Sequence, residues 1–466
     1  MGKIVDRLMY SYATARETGQ LPFWIILGLT IYVPVEDFIL KFVPLPLEII
    51  NLIRIVPELF LYCLCLFILS HKFLNRQRLK GTPIDILVIA FFVSSGISIV
   101  LNQASIPDSI DNVRTNFRYL SVFYILVNIN MSYEQIGTFL KTIRTCGLIQ
   151  AGISCFQFFL PDNVSRILFA RPGTKAYIGS IKPGASFGTF NEPANLSSFL
   201  LLTSAVLLVY VYTQPINFIP VGQNLGAVLT FVFGIFASKK RAALLILLLV
   251  FFGILFYLKR KKNVAVIIWI AAAVALLFDL TSSILLNISL TEDFDVFSYF
   301  TEIFNGSYWR HTANSSRGFL IIRIVRGLIS SQSWFGFGPT PEAVQAGIES
   351  ALNLNLAEQQ QLDWVLYVLD DPYWFAVLAY FGIIGIGLYW FMFVRLFQAA
   401  SFLAKFSSNK EYKVLGISFC YICIIAFIYA FIERIFRLRG FTFYFWVMAG
   451  LVINAYNVER ALQSKK

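Results

Sequence analysis

Residues 236–249, FASKKRAALLILLL, set three consecutive cations, Lys239, Lys240 and Arg241, at the seam between two strongly apolar segments, 217–237 and 242–258. A helix that crosses a bilayer needs about 20 predominantly apolar residues, and a charge near its centre costs roughly 2.5–3.5 kcal/mol. The seam therefore reads as a turn between two membrane helices. Basic clusters usually mark cytoplasmic ends, so the side this one faces decides what the rest of the chain can do.

The whole composition agrees with that reading: of 466 residues, 58% are hydrophobic and 14% charged, with a mean hydropathy of +0.70. Such a chain is an all-α polytopic membrane protein. Apolar runs at 22–34, 55–73, 84–101, 116–130, 138–160, 195–213, 217–237, 242–258, 263–285, 373–397, 412–432 and 440–456 predict about twelve transmembrane helices. The first ends at Val33-Pro34, which predicts a tilt or a break there. Nine spans fall in 1–285, one long hydrophilic insert in 286–372, and three spans in 373–466. The insert contains an amphipathic stretch, SSRGFLIIRIVRGLISS, a turn, WFGFGPTPE, and a helix expected from Glu342 to Leu369. Cys63, Cys65, Cys146, Cys155, Cys420 and Cys423 lie in or beside apolar runs and read as packing residues, neither disulfides nor metal ligands. The N-terminus shows no apolar core followed by a small-residue cleavage site, so no removable signal is expected.

Three basic loops set the topology: HKFLNRQRLK at 71–80, LKRKKN at 258–263, and the loop with Arg395, Lys405, Lys410 and Lys413. An even number of spans separates them, so all three face one side together with both termini. The positive-inside rule makes that side cytoplasmic. Many of the 38 Lys and Arg then remain on the outer side, in groups. Arg114 and Arg118 open the fourth span, four apart and thus on one helical face. Lys175 and Lys182 precede the sixth span, Lys239, Lys240 and Arg241 form the opening seam, and Arg310, Arg317, Arg323 and Arg326 lie in the insert. Arg434, Arg437 and Arg439 stand between the last two spans, the first two on one face. Solvated loop charge accounts for such residues singly. Several cationic helix ends on one side fit an anionic ligand at membrane depth. A lipid-linked diphosphate has that character, and arginine's planar fork suits its oxygens.

At this point the sequence resembles the O-antigen polymerase and ligase family. IGSIKPGASFGTFNEPANLSSFLLL is similar to that family's basic residue followed by G-x-F-x-E/N-P, with Lys182, Gly188, Phe190, Glu192 and Pro193 in those places. SKKRAALL resembles the family's small-residue and arginine turn. SSRGFLIIRIVRGLISSQSWFGFGPT resembles the stretch that opens a long periplasmic loop, and DDPYWFAVLAYFGIIGIGLYWF resembles the end of that loop. The likeness covers residues 150–397. Two positions depart from it: Asp371-Pro372 stands where the ligase-like pattern has His-Asn, and the proline of P-x-x-G-x-G is replaced within SQSWFGFG. FNEP leans toward the Wzy-type polymerase branch.

The resemblance implies a glycosyltransferase that polymerises, or ligates, oligosaccharides carried on polyprenyl (undecaprenyl) diphosphate for lipopolysaccharide or capsule. It works at the outer face of the bacterial cytoplasmic (inner) membrane. It needs no cofactor or metal. Its partners are the lipid-linked donor, a glycan acceptor, the lipid bilayer and a candidate chain-length regulator; nucleic acid is excluded, since much of the +12 net charge anchors cytoplasmic loops. Transfer requires stabilisation of a departing diphosphate and a proton acceptor for the attacking hydroxyl. Arg241 and Arg317 are candidates for the first role, supported by Arg114, Arg118, Lys182, Lys240, Arg434 and Arg437. Asp371 is the favoured base, with Glu192 orienting an acceptor hydroxyl or an arginine, and His311 is the one outer histidine. Glu192 also fits a plain role beside the helix start at Pro193. Tyr308, Trp309, Trp334, Trp364, Tyr373 and Trp374 could stack on sugars, though membrane interfaces favour the same residues. A secondary transporter or flippase shares the span count, but residues 1–230 and 231–466 show no internal likeness.

Overall fold

The computed structural model describes residues 20–43, 45–179, 181–213, 218–258 and 316–463, all of it helix and connecting turn, with no strand among them. Among the described residues six helices are long and apolar enough to cross a membrane: Leu21–Leu40, Glu48–Leu74, Pro193–Thr213, Tyr373–Phe406, Lys410–Tyr429 and Arg439–Gln463. The chain is a membrane protein on that ground. Shorter apolar helical stretches run over Asp85–Leu101, Asn224–Ala237 and Ala242–Phe251. The expected ninth span, 263–285, lies outside the described residues, as does much of the insert.

The helices of residues 193–213 and 439–463 are buried along most of their length and form the centre of the bundle. Apolar surface gains nothing by leaving lipid, so close packing has to hold these helices together. Gly416 shows how: a Cβ there would stand 2.7 Å from Ala400 O and Ala404 N, so the 410–429 and 373–406 helices approach at backbone distance.

Local chemistry shapes several elements as the sequence predicts. Pro34 converts the first helix to a 3-10 turn, Val33–Val35, before a short helix Glu36–Leu40. The amphipathic stretch forms Ser316–Ser331. Other expectations need correction. The fourth span, expected over 116–130, forms only as Leu120–Asn128, after a separate helix Ile106–Asn116 and a turn at 117–119, so Arg114 and Arg118 do not share a helical face. The helix expected over 342–369 is two helices, Pro341–Leu352 and Leu356–Val365, parted where Asn353 adopts a left-handed φ of 48° and Asn355 caps the second.

The 373–406 helix is interrupted at Gly382, whose φ of 67° and ψ of −167° no helical residue adopts. The turn WFGFG enters this break. Phe337 N donates to Ala379 O at 2.8 Å and Ile384 N donates to Trp334 O at 3.3 Å, so groups the helix leaves unpaired find partners in the turn. The two segments resembling opposite ends of one family loop are thus bonded to each other.

Candidate functional site

The last connection of the chain, residues 430–438, positions most of the site. Phe436 anchors it, with its ring 5.2 Å from those of Tyr373 and Phe445 and 5.4 Å from that of Phe393. Trp374 fastens the same corner by donating its backbone N–H to Ala430 O at 3.1 Å and its indole N–H to Phe427 O at 2.8 Å. Tyr373 and Trp374 are consequently core residues and do not face a sugar, contrary to the expectation from sequence. Trp334 and Trp364 are exposed, while Tyr308 and Trp309 lie outside the described residues.

Arg434 and Arg437, flanking Phe436, reach a cavity of about 360 Å³ that is also lined by Arg54, Arg114, Arg118 and Arg439, by the carboxylates Glu58 and Glu192, and by Asn191 and Asn195. The six arginines come from three separate parts of the chain, at 54, at 114–118 and at 434–439. Arg54 and Glu58 are four apart on the 47–74 helix and share one face. Arg439 opens the 439–463 helix, where its charge opposes the helix dipole. It is held by Glu36 at 3.0 Å, Tyr119 at 3.3 Å and a bond to Arg54 O. Arg434 donates to both oxygens of Glu192. Arg437 pairs with Asp370 and donates to Asn112 at 3.0 Å.

Not every guanidinium is matched. Arg114 takes Glu58 at 2.6 Å and Asp111 at 2.7 Å, leaving Arg118 to share Glu58 at 3.4 Å, off hydrogen-bonding geometry. Arg54 and Arg171 likewise share Asp37, each at 3.3 Å. The Nε–H groups of Arg54, Arg118 and Arg437 are buried without a hydrogen-bond partner, as is Asn195 Oδ1. Burial pulls the Arg118 guanidinium below its ordinary pKa. At Arg434 burial acts the same way, but Glu192, Asp371 and Glu433 outweigh it and raise the pKa. Unmet buried donors beside shared carboxylates are groups that an anion in the cavity would satisfy. The chain matches no family model and no curated protein.

Against the sequence expectations, Arg114, Arg118, Glu192, Arg434 and Arg437 all line the cavity. Three more are tied to the same corner without lining it. Lys240 pairs with Glu433 at 2.8 Å, and Arg317 pairs with Asp371 at 2.6 Å and donates to Ile432 O at 3.3 Å. Asp371, the favoured base, pairs with Arg317 beside the cavity, and Glu192, itself paired with Arg434 and 3.6 Å from Lys175, is the candidate carboxylate on the wall. Arg434 and Arg437 were expected on one helical face, but the 3-10 turn Ile435–Arg437 sends them to different carboxylates. Lys182 is exposed at the periphery, near Lys239, whose Nζ donates to Pro183 O at 2.7 Å. Arg241 begins the helix Arg241–Leu258, and His311 lies outside the described residues.

Sequence reasoning missed Arg54, Glu58, Glu36, Asp37, Asp370 and Glu433. The signal for Glu58 was present: an ionisable residue inside an apolar span is a functional candidate by default.

Proposed function

We propose that this chain is a membrane glycosyltransferase that transfers an oligosaccharide from polyprenyl diphosphate to a glycan hydroxyl, in the manner of Wzy-type O-antigen polymerases. One observation carries the reading: six arginines line one cavity at the helix ends, and although carboxylates on and behind its wall pair with them, the buried Nε–H groups of Arg54, Arg118 and Arg437 are left unmet. In this reading the acceptor oxygen attacks the anomeric carbon, the bond from that carbon to the diphosphate oxygen breaks, and its electron pair leaves on the diphosphate. The arginines stabilise the charge that develops there. Glu192, on the cavity wall, accepts or orients the hydroxyl proton, Arg317 assists from beside it, and Arg241 keeps the role the resemblance gives it.

The same reading places the cavity at the outer face of a bacterial cytoplasmic membrane, with about twelve spans, cytoplasmic termini and the insert outside. The exposed Trp334 and Trp364 then lie where a glycan would emerge. The test is direct. Purified protein in lipid discs is given a polyprenyl-diphosphate-linked oligosaccharide with no nucleotide sugar. Lengthened glycan with matching release of polyprenyl diphosphate is expected; an unchanged donor rejects the reading.

A further inference from the structure

A second concavity, of about 640 Å³ and almost wholly apolar, lies beside the arginine cavity between the helices of residues 47–74, 85–101, 106–116 and 120–128. Arg114 lines both. Tyr62, in the groove wall, donates to Glu58, in the cavity wall, at 3.2 Å, which joins the two by a second link. Two polar groups along the groove are turned to internal partners, Ser95 donating to Phe91 O at 2.8 Å and Tyr124 to Asp85 at 3.1 Å, while the buried Ser121 hydroxyl has none. From Ile99 to Phe92 the groove follows its helix for about 10 Å. That is roughly two thirds of the ~15 Å depth of one leaflet's hydrocarbon. Its rim residues Leu66 and Phe92 are exposed, so it opens sideways.

We infer that this groove seats the first isoprene units of the carrier lipid, so that the donor enters laterally between the 47–74 and 85–101 helices and its diphosphate meets Arg114 first. The inference rests on the diphosphate reading of the arginine cavity. A hydrocarbon chain attached to an anion held there must leave the cavity along some wall, and the wall at Arg114 is the apolar one. Lipid tails are as apolar as the groove, so the groove adds little affinity. It fixes the exit path of the chain, and obstructing it keeps the head group from seating.

Gly96 lines the groove and a Cβ there meets nothing within 4 Å, so Gly96→Phe starts its side chain in open space at the groove. Binding of a polyprenyl diphosphate and of inorganic pyrophosphate is measured on the full chain in lipid discs. Gly96→Phe and Leu66→Trp are each expected to weaken polyprenyl diphosphate tenfold or more and to leave pyrophosphate unchanged. Ile86→Phe, exposed on the same helix but outside the groove, should change neither. Wild-type binding of both probes, with both retained in Gly96→Phe, overturns the groove assignment alone. Failure of the wild type to bind either probe overturns the diphosphate reading with it. Displacement by dioleoyl phosphatidate as strong as by polyprenyl diphosphate overturns the isoprenoid assignment.

Discussion

Arg434 Nη2 stands 3.0 Å from Glu192 Oε1 and 2.9 Å from Oε2, bridging the 430–438 connection to the start of the 193–213 helix. The pair gives Glu192 a fixed orientation on the cavity wall, where the proposed reaction has it meet the acceptor hydroxyl. Glu192→Gln keeps the shape and a hydrogen bond to Arg434 but removes the proton acceptor. Turnover should fall by roughly 10²–10⁴. Donor KM should hold or fall, because the cavity loses a negative charge that repels diphosphate. A variant with normal kcat would make Glu192 a purely structural partner of Arg434.

Arg118 and Arg439 look alike in sequence and should respond in opposite ways. Arg118 is a buried cation with an incomplete share of Glu58, which keeps Arg114 and Tyr62 when Arg118 is removed. Replacing an under-partnered buried charge with an apolar side chain is often neutral or stabilising. Arg118→Met should therefore leave the thermal midpoint unchanged or higher while weakening pyrophosphate binding about 10- to 100-fold. Arg439→Met strands Glu36, which is only 4% exposed, and should cost about 3–5 kcal/mol. Thermal melting and pyrophosphate titration of both variants decide this. Equal destabilisation would contradict the assignment of Arg118 to ligand binding.

Gly382 tests the junction of turn and helix. A Cβ added there would overlap Trp334 O and Gly336 N, and the positive φ alone costs about 1–3 kcal/mol for another residue. Gly382→Ala should lower thermal stability by at least that amount and expose the 332–338 turn to protease. Gly387→Ala, with open space around its Cβ, should not. Similar melting of the two variants would mean that the turn does not depend on the break.

What the sequence made legible follows from how each feature is encoded. Apolar runs and Pro34 act locally, so the helices and the break after Tyr32 could be read directly. The outer arginines could be grouped because each lies at the end of an apolar run. Their carboxylate partners could not be read. Arg439 meets Glu36, and Arg437 meets Asp370, across separations of 403 and 67 residues, and such pairings depend on packing that no local pattern records. The turn at residues 117–119 escaped for a different reason: Phe117, Tyr119 and the apolar run after them read as one span from 116, and no local signal marks the turn that precedes Leu120.

Arg317 and Asp371 offer the sharpest distinction between a working pair and a structural one. Their side chains are 43% and 22% exposed, so the ion pair contributes at most about 0.2–1 kcal/mol to stability. Arg317→Ala and Asp371→Asn should both insert and melt close to wild type. If the pair serves catalysis by holding Arg317 toward the departing diphosphate, each single change should lower turnover by about 10² or more. The double variant should then be no worse than either single, because the second substitution removes nothing the first left working. Arg317→Lys should recover part of the loss, since the charge remains while the planar fork is gone. Losses that multiply in the double variant would show that Asp371 acts independently of Arg317. That result would return the base to Asp371, where the sequence first placed it, and would leave Glu192 to orient Arg434.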